Sequence, residues 1–135
     1  MYLLDTNIFL ELLLDQERAD DVEKLLRSAP RERFHISEFS LYSVGIVLFR
    51  RKLFDVFVRF VEDLIITGGI CLLRLSAEDA KGLAEVAQRF GLDFDDAYQY
   101  AVAERYGLTI LSFDSDFDRT ERGRKMPEDL IKWER

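Results

Sequence analysis

Asp5, the cluster Asp93 to Asp96, and the pair Asp114 and Asp116 are the side chains whose type and placement point to chemistry. Asp5 ends the short apolar run Leu3-Leu4 and is followed at once by Thr6 and Asn7, residue types that suit a helix start. Asp114 and Asp116 follow the run Leu108 to Phe113, the clearest strand in the chain, and Asp93 to Asp96 opens a helix carrying Ala97, Ala101 and Val102. In a parallel sheet the loops that leave the strand ends lie along one edge, and ligands bind there. Three acidic groups converging on that edge without a basic partner repel one another. Hard cations such as Mg²⁺ or Mn²⁺ between them remove the conflict. One or two such ions position a water, lower its pKa and stabilise the leaving oxygen of a phosphodiester. The chemistry expected from placement alone is that of a metal-dependent nuclease.

Each acid also has a plainer reading. Asp93 or Asp95 serves as a helix N-cap, and Asp116 as a turn residue bonded to its own backbone. Asp5 has the weakest such reading, because an acid directly after a buried strand has little structural reason to be there.

The elements that must carry these acids alternate. A first strand at Leu3-Leu4 leads to helices over Asn7–Leu14 and about Ala19–Arg27, the second ended by Ala29-Pro30-Arg31. Arg33 to Ile36 reads as the second strand, and Ser37 as the N-cap of a helix from Glu38 to about Arg51. Another helix spans Phe54 to about Thr67, Gly68-Gly69 ends it, and Ile70 to Leu75 forms a third strand. Ser76 caps one helix that runs on to Gly91, with Ala80, Leu83, Ala84 and Ala87 inward. Leu130 to Trp133 reads as a last short strand. Strands alternating with helices give an α/β fold with a mostly parallel sheet. The helices after the second strand are apolar on more than one side, with Tyr42, Ile46 and Phe49 on one stripe and Leu41, Val44 and Leu48 on another. Such helices are buried on both sides, either within the monomer or in a homodimer interface.

Size and composition set the frame. The 135 residues, 48% of them hydrophobic and eleven of them Phe, suffice for a single domain over 1–135 with its own core. The single Cys excludes an intramolecular disulfide, and Cys71, inside the apolar run Ile70 to Leu73, reads as a buried, reduced thiol. There is no leader-like segment and no apolar run of membrane-spanning length, so a cytoplasmic protein is expected. The net charge of −7 argues against a passive nucleic-acid coat, which needs a basic face. It leaves room for an enzyme acting on nucleic acid, because metal ions supply positive charge at the reacting phosphate.

Leu3-Leu4-Asp5-Thr6-Asn7, Asp95-Asp96-Ala97 and Ser112-Phe113-Asp114-Ser115-Asp116-Phe117 together resemble the PIN domain, and within it the VapC-type toxin ribonucleases. The resemblance covers essentially the whole chain in length and element order. It implies a three-layer fold, with a central, mostly parallel sheet of four to five strands flanked by helices. It also implies a Mg²⁺/Mn²⁺-dependent endoribonuclease acting on RNA, often a homodimer with a cognate antitoxin protein. Carried over residue by residue, the catalytic and metal-binding acids are Asp5, Asp96 and Asp114, with Asp116 an accessory ligand. Asn7 and Ser112 match polar neighbours that steady the site.

The sequence departs from the pattern at one point. The family's Glu, about two turns into the helix after the second strand, falls on Ser43, which supplies no charge to a metal. Glu38 and Glu11 are the candidate substitutes. Five residues of helix separate Glu38 from position 43, about 500° of rotation and roughly 140° off the same face. Glu11 lies one turn beyond Asn7, on its face. The alternative function is a degenerate, non-cleaving module that binds a protein partner or RNA. Among the remaining polar residues, His35 reads as a satisfied strand residue. Arg119, Arg122, Arg124 and Lys125, just past the acidic turn, read equally as a grip on RNA phosphates or as a solvated loop. Tyr98 and Tyr100 are candidates to stack bases, with core packing the better reading for at least one.

Overall fold

The computed structural model describes residues 1–131. Four short strands, β1 (Tyr2–Leu4), β2 (Phe34–Ser37), β3 (Cys71–Leu73) and β4 (Thr109–Leu111), form one sheet in the order β3-β2-β1-β4. All pairings are parallel, with Leu3 opposite His35 on one side and Ile110 on the other. The chain winds outward from β1 through β2 to β3, then crosses back to place β4 on the free side of β1. The strand order therefore reverses between β1 and β4. That is the position where an open parallel sheet leaves a crevice for ligands at its strand ends.

Alternation along the strands covers both faces. Leu4, Ile36 and Leu111 face one core with Phe9, Leu25 and Leu48; Leu3 and Ile110 face the other with Leu83, Tyr100 and Val102. Helices α1 (Thr6–Leu13), α2 (Ala19–Ser28), α3 (Glu38–Arg50) and α4 (Phe54–Phe60) close the first core. Helices α6 (Leu83–Phe90) and α7 (Phe94–Tyr106) close the second, and the short α5 (Ala77–Ala80) precedes them without a buried residue. The result is a helix–sheet–helix sandwich.

Several expectations are corrected. Leu130 and Ile131 lie in a short helix, α8 (Pro127–Ile131), not in a strand; Leu130 packs on the first core, and Lys132 and Trp133 lie outside the described residues. The sheet is extended instead by the backbone at Lys125, which bridges Leu111 in parallel on the outer side of β4. The helix after Ser76 is two helices, parted at Lys81-Gly82. Its inward residues are Leu83, Val86, Ala87 and Phe90, while Ala80 and Ala84 are exposed. The helix from Phe54 changes after Phe60 into a π-helical segment, Val61–Ile66. Cys71 is exposed, because β3 is an edge strand with no helix over that position. Among the described residues, no helix is long and apolar enough to cross a membrane.

Candidate metal centre

Asp5 ends β1 and is the N-cap of α1, its Oδ1 accepting from the Thr6 N–H at 2.8 Å. Asp5 therefore has a plain structural role as a helix cap, where the sequence reading found little structural reason for it. Asp93 caps α7 in the same way, accepting from the Asp96 N–H, which leaves the Asp96 carboxyl free to face inward. Asp114 follows β4 and caps a 3₁₀ turn (Ser115–Arg119) by accepting from the Asp116 N–H at 2.8 Å. Three helix N-termini thus meet at the β1/β4 crevice. Each turns a carboxylate there, and their dipoles favour negative charge.

Carboxylate oxygens of Asp96, Asp114 and Asp116 lie within 4.8 Å of one another, the one such acidic group among the described residues. Oxygens that share a hard cation at about 2.0–2.6 Å stand at comparable mutual spacings, so this donor set fits Mg²⁺ or Mn²⁺. Asp5 stands behind the group. It is 7% exposed and filled with donors: Oδ1 also accepts from Gln99 Nε2 at 2.9 Å, and Oδ2 accepts from Ser112 Oγ at 2.7 Å and from Asn7 Nδ2 at 3.5 Å. Burial raises the Asp5 pKa; hydrogen bonds from Gln99, Ser112 and Thr6 oppose the shift, and the Asp114 charge adds to it. Asp96 is pushed up to about 8, first by burial, then by the charges of Asp114, Asp93 and Asp5, and by a hydrogen bond shared with Asp114. Without a cation, the cluster keeps a proton at neutral pH.

Ser112 Oγ accepts from the Asp114 N–H and from Asn7 Nδ2, and Asn7 Oδ1 accepts from the Phe113 N–H, so β1 and β4 are clamped together behind the acids. The fourth acid has no replacement among the two candidates. Glu38 receives the Tyr42 hydroxyl and pairs at 3.8 Å with Arg74, which follows the edge strand β3, and it is not part of the acidic group. Glu11 accepts from the Arg18 N–H and closes the loop after α1. Ser43 is half-buried, about one turn beyond Ser40 on α3. The acids do have one basic neighbour: Arg119 Nη1 reaches Asp116 at 3.3 Å. The other bonds of Arg119 go to the carbonyls of Phe90 and Gly91, Arg122 bonds the Leu108 carbonyl, and Arg124 bonds the Ser112 carbonyl and Asp118. These guanidinium groups hold backbone in place. Lys125 contributes its backbone to the sheet.

Three site residues escaped the sequence reading. Gln99, Ser40 and Ser37 are fully buried and bonded to one another, and Gln99 reaches Asp5. The signal was available: Gln99 stands on the buried stripe of α7 with Asp96, Tyr100 and Ala103, and Ser40 shares a stripe of α3 with Val44 and Leu48. A polar residue on a buried stripe needs a partner. Phe94 was missed too. It is 58% exposed beside the acids, its ring 6.0 Å from Phe39 and 6.4 Å from Tyr98. Tyr100 is core, and Tyr98 accepts from the Leu75 N–H. His35 is satisfied by the Tyr2 carbonyl.

The sequence profile of the PIN domain matches residues 2–123. The chain belongs to the PIN domain family. Solved structures agree with this PIN fold over nearly its full length. The sarcin–ricin-loop-cleaving toxin VapC20 of Mycobacterium tuberculosis superposes with a TM-score of 0.79 at 20% identity, covering 94% of this chain and 100% of that one. A toxin–antitoxin complex from Klebsiella pneumoniae gives 0.75 at 22% identity, covering 94% and 98%. FitAcB from Neisseria gonorrhoeae gives 0.71 at 23% identity, covering 95% and 99%. No curated protein sequence matches the chain.

Proposed function

We propose that this PIN domain is a Mg²⁺- or Mn²⁺-dependent endoribonuclease of the VapC toxin type. The observation that carries the reading is the grouping of Asp96, Asp114 and Asp116 oxygens within 4.8 Å at the β1/β4 crevice. These three would hold the cation, with Asp5 beside them and Asn7 and Ser112 keeping Asp5 and Asp114 in register. When bound, the ion supplies charge for the phosphodiester and lowers the pKa of a water. Asp96, whose pKa is raised, would have to release its proton to act as a ligand, and the 3₁₀ turn capped by Asp114 holds Asp116 beside it.

RNA is the substrate class we propose, although the surface offers its phosphates little charge. The chain carries a net charge of −7 and the arginines near the site bond backbone carbonyls, so phosphates find few free cations there. Phe94, exposed next to the acids, offers a stacking platform for an unpaired base. One structural neighbour is a toxin–antitoxin complex, and an antitoxin protein is the partner we propose. A homodimer is the assembly we propose: Tyr42, Ile46 and Phe49 stay about half exposed along α3, beside a groove of about 430 Å³.

The test is cleavage of labelled single-stranded and hairpin RNAs in Mn²⁺. The wild type cuts, EDTA stops it, and Asp114→Asn is inactive. Equal cutting by wild type and Asp114→Asn, or none by the wild type across the panel, rejects the assignment. A second reading is a non-cleaving module. Ser43 favours it, since neither Glu38 nor Glu11 supplies the missing carboxylate. A wild type that binds Mn²⁺ and RNA but cuts none of the panel decides for it.

A further inference from the structure

We propose that Gln99 is a positioning residue for Asp5, the last link of a relay that starts at the backbone of α3; the proposal rests on the metal-centre reading above. The direction of the relay is fixed at its far end. The Ser40 N–H donates to Ser37 Oγ at 3.0 Å, a group that cannot act as an acceptor. The Ser37 hydroxyl then donates to Gln99 Oε1 at 2.7 Å. With its oxygen occupied, the Gln99 amide turns its nitrogen the other way. Nε2 donates to Asp5 Oδ1 at 2.9 Å and to Ser40 Oγ at 2.6 Å. Ser40 Oγ, already accepting, lies 2.9 Å from Thr6 Oγ1. Each polar atom of the Gln99 side chain has a partner, and the residue is 1% exposed, so it has no second arrangement available at low cost.

The consequence falls on Asp5. Its Oδ1 is pinned by two donors, Thr6 N–H and Gln99 Nε2, on the side away from β4. Its Oδ2 has one good donor, Ser112 Oγ at 2.7 Å, and one at the limit of a hydrogen bond, Asn7 Nδ2 at 3.5 Å. Oδ2 is therefore the oxygen with capacity left, and Gln99 determines that it faces the side of Asp114. A Glu at position 99 would still accept from the Ser37 hydroxyl, but it would present an acceptor to Asp5 where Nε2 now donates, which breaks the relay at its last link. In this chain the N-terminus of α3 serves the site through neutral hydrogen-bond donors, one turn before Ser43.

Mn²⁺ titration calorimetry on the full chain tests this, using wild type, Gln99→Leu, Asp5→Asn and the double variant, with thermal melting to monitor the fold. Gln99→Leu lowers Mn²⁺ affinity at least about tenfold, in the range found for residues that orient ligands. In the Asp5→Asn background the same change has no further effect beyond about twofold, because the residue it positions is already altered. Gln99→Glu, nearly the same size, loses affinity at least as much and carries the test if Gln99→Leu does not fold. Mn²⁺ affinity within twofold of wild type for a folded Gln99 variant overturns the proposal. So does a loss that persists undiminished in the Asp5→Asn background, which marks a purely structural role. A wild type that does not bind Mn²⁺ overturns the metal-centre reading itself, an outcome distinct from either.

Discussion

With Asp96 buried among the carboxyl groups of Asp114, Asp93 and Asp5, its pKa rises to about 8, against 3.8 for an unperturbed Asp. Between those values the native state binds more protons than the unfolded chain, so stability falls as pH rises. The metal-free protein is accordingly more stable at about pH 5 than at about pH 9, as urea unfolding in EDTA will report. Mn²⁺ competes with the same proton, so its affinity rises over the interval in which metal-free stability declines. Asp96→Asn is expected to flatten the stability profile, raise metal-free stability near neutral pH and abolish Mn²⁺ binding. A variant with an unchanged pH slope would show that Asp96 is not the residue holding the proton. The acids at the strand ends were legible in the sequence because Asp residues after apolar runs stand out. The donors around them were not: Gln99 and Ser40 look like ordinary helix residues until α3 and α7 are brought together over β1.

Among the elements, the helix that begins as α4 carries the least regular backbone. Its π-helical segment Val61–Ile66 ends at Thr67, and Gly68 follows with the carbonyls of Asp63 and Leu64 pressed against it. A Cβ at position 68 would meet those oxygens at 2.2 and 2.7 Å, and both belong to backbone that cannot swing aside. Gly68→Ala should therefore destabilise the fold by about 2 kcal/mol or more, measured by denaturant unfolding. Gly107→Ala meets nothing within 4 Å and is strained only by its φ of +68°, so a smaller loss of about 1 kcal/mol is expected. Periodicity foretold most elements because their apolar stripes are strong, as in α2 with Val22, Leu25 and Leu26. It read a continuous helix through Lys81-Gly82 and a regular one through Val61–Ile66, because side-chain spacing does not report which carbonyl each N–H reaches. It placed Cys71 inside, because an apolar run looks the same on an edge strand as on a central one.

At the scale of the whole molecule, two exposed apolar surfaces among the described residues bear on function. Tyr42, Ile46, Phe49, Phe54 and Val58 leave an apolar face on α3 and α4, although Phe49 packs edge-on against Phe54 and Phe57 within the chain. If this face joins two copies, sedimentation will show a dimer that Ile46→Glu converts to monomer without lowering the melting temperature, since Ile46 is 52% exposed. A wild-type monomer at high concentration would refute it. The second surface is Phe94, exposed between Asp93 and Asp95 at the start of α7. Phe94→Ala should weaken RNA binding by about 1–3 kcal/mol while leaving Mn²⁺ affinity unchanged, and equal RNA affinity would remove stacking from the account. The most direct test of the central claim is anomalous diffraction from crystals soaked in Mn²⁺. A manganese peak is expected, bounded by Asp96, Asp114 and Asp116, on the Oδ2 side of Asp5. Crystals with no peak at that cluster, at a concentration that saturates binding in solution, would contradict it.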